Sequence, residues 1–103
     1  MARLRLKGKT GRLTNDMHPK TLEELRADLA SNLRVIRKSK GLAQERLALD
    51  AGVDRTVVSK IERGVTNPSL DVLLRLANHL DVHVGQLLLP HARLKSGVES
   101  QQP

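Results

Sequence analysis

The chain has 103 residues, 39% hydrophobic and 28% charged, a size and mix that suit one small domain with tails and exclude a two-domain enzyme. It has no Cys, so no disulfide or thiolate site can form, and no Phe, Tyr or Trp, so the stacking platforms of single-stranded nucleic-acid modules are missing. The formal net charge of +7 points to an anionic partner, and no apolar run is long enough for a membrane span or a signal peptide.

The charge is uneven. Residues 1–20 carry six basic side chains against one acidic, and residues 34–64 carry eight against four. Residues 1–20 show no helical period and read as a basic arm, with a short strand at Arg3-Leu4-Arg5-Leu6-Lys7 as the alternative. A phosphate-tracking or minor-groove role suits such an arm better than an organelle-targeting one, because Asp16 is present and Ser is absent.

From Thr21 the pattern turns helical. Thr21-x-x-Glu24 makes a capping box, and Leu22, Leu25, Leu29, Leu33 and Ile36 recur at threes and fours up to a stop at Lys40-Gly41. A second, short helix from Gln44 to about Asp50 buries Leu47, Ala48 and Ala51 and halts at Gly52. Asp54 caps a third, with Val57, Val58 and Ile61 inward and Gly64 at its end. After the loop at Val65-Thr66-Asn67-Pro68, Ser69 caps a fourth helix with a core stripe of Leu70, Leu73, Leu74, Ala77 and Leu80. Val84, Leu87 and Leu88 predict a fifth, ending at Pro90. The domain thus spans 21–90, with a tail at 91–103.

Two short helices joined at Ala51-Gly52-Val53-Asp54 can cross steeply and present the second one outward. At 100° per residue, Arg55, Thr56, Ser59, Lys60 and Arg63 share an arc of about 140° on that helix, opposite Val57, Val58 and Ile61. Cationic donors and hydroxyls without a carboxylate suit guanine edges, thymine methyls and phosphate oxygens. Arg55 and Thr56 would reach deepest, Ser59 and Lys60 next, with Arg63 on phosphate. Gln44 stands where free N–H groups favour a phosphate, its plainer role being a helix-start amide; Asn67 would hold the backbone on the other side.

The stretches Leu33-Arg34-x-x-Arg37, Gln44-x-x-Leu47-Ala48-x-x-Ala51-Gly52-Val53, Ser59-x-Ile61-Glu62-Arg63-Gly64 and Asn67-Pro68-Ser69-Leu70 resemble the Cro/repressor-like (XRE) helix-turn-helix family over Leu29 to Leu88. The resemblance implies an all-α, five-helix, lambda-repressor-like domain that binds double-stranded DNA in the cytoplasm, on the nucleoid when bound, and regulates transcription, most simply by repression. It also implies that the glutamine at Gln44 braces recognition side chains, and that Arg37 and Glu62 form an ion pair between the first and third helices; the alternative is Arg37 facing phosphate. Ala43 departs from the family's frequent Ser or Thr and removes a side-chain cap.

One short reading helix covers too few base pairs to be selective, so a homodimer on a palindromic site is expected. Val82, Val84, Leu87, Leu88 and Leu89 are candidates for its contact, though most should complete the core. An antitoxin or other protein-partner role, with the helix-turn-helix serving autoregulation, is the competing function. No cofactor, metal or catalytic constellation is read: His79 and His83 are four apart, but Asp81-Val82 should break the helix between them.

Overall fold

The computed structural model describes residues 21–91; the basic arm and most of the tail lie outside the described residues, and with them the strand considered at Arg3 to Lys7. Four α-helices follow in order: α1 (Leu22–Ser39), α2 (Gln44–Ala51), α3 (Arg55–Glu62) and α4 (Leu70–Leu80), then a 3-10 turn at Val84–Leu87. Among the described residues there is no strand, and no helix is long and apolar enough to cross a membrane.

Local chemistry sets the helix ends. The Thr21 hydroxyl accepts from Glu24 N–H at 3.0 Å while the Glu24 carboxylate accepts from Thr21 N–H at 3.1 Å, and Asp54 and Ser69 cap α3 and α4. Ala43 offers α2 no side-chain cap. Each α-helix closes with a six-to-one hydrogen bond, for example Leu42 N–H to Arg37 C=O at 3.2 Å and Val82 N–H to Ala77 C=O at 3.0 Å. The left-handed residue in this closure is Gly41, Gly52 and Gly64 in the first three helices, but Asp81 (φ 58°) after α4. A side chain is disfavoured there, so Asp81→Gly is expected to stabilise the fold by roughly 0.5–1 kcal/mol, read as a higher urea midpoint at unchanged slope.

The core collects Leu29 and Leu33 from α1, Leu47 from α2, Val58 and Ile61 from α3, and Leu73, Leu76 and Leu80 from α4, with Leu87 closing the end. Ala48 and Ala51 are buried where α2 packs against its neighbours. Two leucines assigned to the core stripe of α4 lie outside it, Leu70 at 79% and Leu74 at 49% exposed, and Leu76 takes the buried place; on α1 the periodic Leu22 is also exposed. With leucines at 70, 73, 74, 76 and 80, the spacing of α4 fits more than one stripe; the inner one is Leu73, Leu76, Ala77 and Leu80.

The fifth helix is also corrected, to a four-residue 3-10 turn. Asp81 ends α4, Gly85 is a poor helix former and Pro90 bars extension. The turn closes on its own side chains: His83 Nδ1 accepts from Gly85 N–H at 2.9 Å and Gln86 Oε1 from His83 N–H at 3.0 Å. The chain after it is clamped to α1 by buried Asn32, whose Nδ2 donates to the carbonyls of Leu87 (3.0 Å) and Leu89 (2.8 Å). Both amide hydrogens are thereby used, so Asn32 Oδ1 accepts from His91 Nδ1 at 2.7 Å. Leu87 is buried, and Val82, Val84 and Leu88 pack against the core; of the five candidates for a dimer contact, Leu89 alone is exposed.

Candidate nucleic-acid interface

The turn Gly52-Val53-Asp54 sends α3 across the bundle with Val58 and Ile61 buried and Val57 half-buried beneath it. Its other side carries the cationic arc. Arg55, Thr56, Lys60 and Arg63 are exposed, and Ser59 sits half-buried at the edge. Among the described residues, none of Arg55, Lys60 and Arg63 stands in an ion pair. Donors of this kind, held out by a packed underside and not neutralised by carboxylates, attract an anionic surface.

Thr56 differs from the other members of the arc. Asp54 Oδ1 accepts from both Thr56 N–H (2.9 Å) and the Thr56 hydroxyl (2.8 Å), so the hydroxyl's proton is committed to the helix cap. Those two bonds, then the charges of Lys60 and Arg55, hold the exposed Asp54 carboxyl below the ordinary aspartate value. Thr56 therefore has only its methyl and an acceptor oxygen left to offer a partner.

The orientation of α3 is set by a buried polar junction. Arg37, from α1, donates through Nε to Glu62 Oε2 at 2.6 Å and through a terminal nitrogen to Glu62 Oε1 at 2.9 Å. Its other terminal nitrogen donates to the Leu42 carbonyl at 2.6 Å. Gln44 Nε2, from α2, donates to Glu62 Oε1 at 2.9 Å. The side chains of Arg37 and Glu62 are 9% and 1% exposed, so this is an interior bidentate pair, and Arg37 does not face outward toward a phosphate. Burial alone would push the Glu62 carboxyl up; the hydrogen bonds from Arg37 and Gln44, reinforced by the Arg37 and Arg34 charges, hold it below the ordinary glutamate value. The bond to Glu62 likewise outweighs burial and raises the Arg37 guanidinium.

Gln44 is thus a brace between α2 and α3 as well as the first residue of an uncapped helix start. Asn67 is exposed on the loop after α3, its Oδ1 accepting from Arg26 Nε at 2.7 Å and its Nδ2 without a partner among the described residues. Sequence reasoning missed that link, and also Arg34, which donates to the Glu62 carbonyl at 2.8 Å and satisfies the end of α3. The only available signal was the three-residue spacing of Arg34 and Arg37, which puts both on one face of α1.

Four helices in which the second and third join through a three-residue turn, with the third presenting an unpaired cationic face, define a helix-turn-helix protein. The helix-turn-helix family HTH_3 matches residues 33–87, and the chain belongs to this family. It is 47% identical over 74 residues to a hypothetical transcription factor of Neisseria meningitidis, covering 71% of this chain and 70% of the relative. The crystal structure of a Neisseria hypothetical transcription factor superposes with a TM-score of 0.65 at 46% identity, over 73% of this chain and 85% of that one. Control protein C.SmaI of Serratia marcescens is 33% identical over 79 residues, 77% of this chain and 88% of its own. The biofilm regulator SinR, from Bacillus subtilis, crystallised with DNA, matches with a TM-score of 0.56 and 39% identity, over 58% of this chain and 97% of that chain.

Proposed function

We propose that the chain is a sequence-specific duplex-DNA-binding transcription regulator, acting as a repressor by occupying its site on the nucleoid. The observation that carries this reading is the carboxylate-free, unpaired cationic face of α3, held at a set angle by Arg37, Gln44 and Glu62. The family and the DNA complex of SinR support it. In a major groove about 12 Å wide, Arg55 reads base edges and the Thr56 methyl meets a thymine methyl. Ser59 and Lys60 follow along the groove, Arg63 binds phosphate, and the open N–H groups at Gln44 and the Asn67 Nδ2 hold the backbone on either side. Two copies on a two-fold site, with half-sites about 34 Å apart, extend the sequence read.

Selection of duplexes from a random pool with the full chain tests this. A palindromic consensus that is lost on Arg55→Ala is the expected result. Recovery of no consensus, or one indifferent to Arg55, would overturn it.

A further inference from the structure

Arg26 lies on α1, outside the helix-turn-helix pair, yet it meets the loop that leaves α3 in two ways. Its Nε donates to Asn67 Oδ1 at 2.7 Å, across 41 positions of chain. Its backbone carbonyl oxygen is 4.0 Å from where a Cβ on Gly64 would stand, so the same loop packs on α1 at this residue. Between residues 21 and 33 Arg26 is the only cationic side chain, in the company of Glu23, Glu24 and Asp28. Even so, it stands in no ion pair among the described residues. We infer that Arg26 is a positioning residue for Asn67, and that the two side chains together form a site for one backbone phosphate of duplex DNA at the exit of α3. The inference rests on the DNA-binding reading and deepens it, by adding a contact that comes from α1.

The chemistry of the two groups selects an anion. A guanidinium has donors only, so the Asn67 atom that meets it is the amide oxygen, and the amide's two hydrogens are directed elsewhere. Asn67 is exposed, and those hydrogens have no acceptor among the described residues. On Arg26 the bond uses Nε alone, which leaves the four Nη hydrogens without an acceptor among the described residues. Two adjacent donor groups, one of them carrying a full charge, thus lack what a phosphate oxygen supplies: lone pairs and a negative charge. The loop also lies in the right place. It begins where α3 ends, next to Arg63, so DNA that takes α3 into its groove has backbone close to the exit of that helix. Because Arg26 holds the amide before DNA arrives, less side-chain freedom is lost on binding. A hydrogen bond between two solvent-facing side chains adds little to folding, so its worth is read in binding rather than in stability.

Anisotropy titrations of the full-length chain on its selected duplex, at several salt concentrations, test this. Arg26→Ala is expected to bind about tenfold more weakly on every duplex alike, with the slope of log affinity against log salt lowered by about one. Asn67→Ala should weaken binding by about fivefold and leave the slope unchanged, because a neutral amide displaces no counterion. The double variant should lose less than the product of the two single losses, since the amide is no longer held once Arg26 is gone. Asn67→Asp separates a phosphate contact from a tie within the fold. Its carboxylate still accepts from Arg26 but donates nothing, so the urea midpoint should hold or rise while binding falls. When each phosphate in turn is replaced by an uncharged methylphosphonate, one position should weaken wild type and leave the double variant unaffected. Arg26→Ala with wild-type affinity and slope, single losses that simply multiply, or a scan with no such position would each overturn the inference while leaving the DNA-binding reading intact. A wild-type chain that selects no duplex overturns both.

Discussion

Glu62→Ala should destabilise the domain by roughly 3–5 kcal/mol, the usual loss when one member of a buried ion pair is removed. The cause is what remains: an Arg37 guanidinium 9% exposed, with only the Leu42 carbonyl to receive its hydrogens, and a Gln44 amide without its acceptor. Against a total stability of about 5–15 kcal/mol, this change alone brings a small domain near unfolding. Arg37→Ala should cost a similar amount by stranding the carboxylate. Replacing both by leucine should recover part of the loss, since the Leu42 carbonyl and the Gln44 amide still lack partners. Urea denaturation of the three variants measures this; a single-variant loss below about 1 kcal/mol would mean that the pair behaves as an exposed one.

The same junction sets an acid limit on the fold. The Glu62 carboxyl is held below its ordinary value in the folded chain. Its contribution is therefore complete above the unfolded glutamate pKa of about 4.3, and is lost as pH falls through the lower, folded value. Unfolding free energy measured across that window should fall more steeply for wild type than for Glu62→Ala. Because α1 and α2 both reach α3 through Glu62, the variant should also bind its selected duplex more weakly at temperatures where it remains folded.

The second large effect concerns recognition. On the proposed reading, Arg55→Ala removes about 1–3 kcal/mol of discrimination at the base pairs Arg55 meets and leaves the fold intact, since Arg55 is exposed and in no ion pair. Arg63→Ala should instead weaken all duplexes alike and lower the salt dependence by about one counterion. Anisotropy titrations at several salt concentrations, on the selected duplex and on single-base variants, separate the two. A uniform loss for Arg55→Ala, equal on every duplex, would place that side chain on phosphate.

Much of this was legible in the order of the residues. Thr21, Asp54 and Ser69 announce helix starts and Gly41, Gly52 and Gly64 announce stops, because caps and left-handed closures act within a few residues of chain. The free face of α3 was legible for a similar reason: Val57, Val58 and Ile61 crowd one side of an eight-residue helix, and the basic arc falls opposite.

Other properties arise only when distant elements meet. The leucine-rich α4 could have turned either side inward. Packing on α2 and on the 3-10 turn buried Leu76 and left Leu70 and Leu74 facing out. Asn32 reads as one polar residue in a helix until Leu87 and Leu89 arrive 55 and 57 positions later with carbonyls to satisfy. The Thr56 hydroxyl reads as a recognition donor until Asp54 accepts its hydrogen bond. Short-range geometry determined where the helices begin, end and face. Burial is a property of pairs of surfaces, and only the assembled bundle decided which polar atoms were spent inside and which were left for a partner.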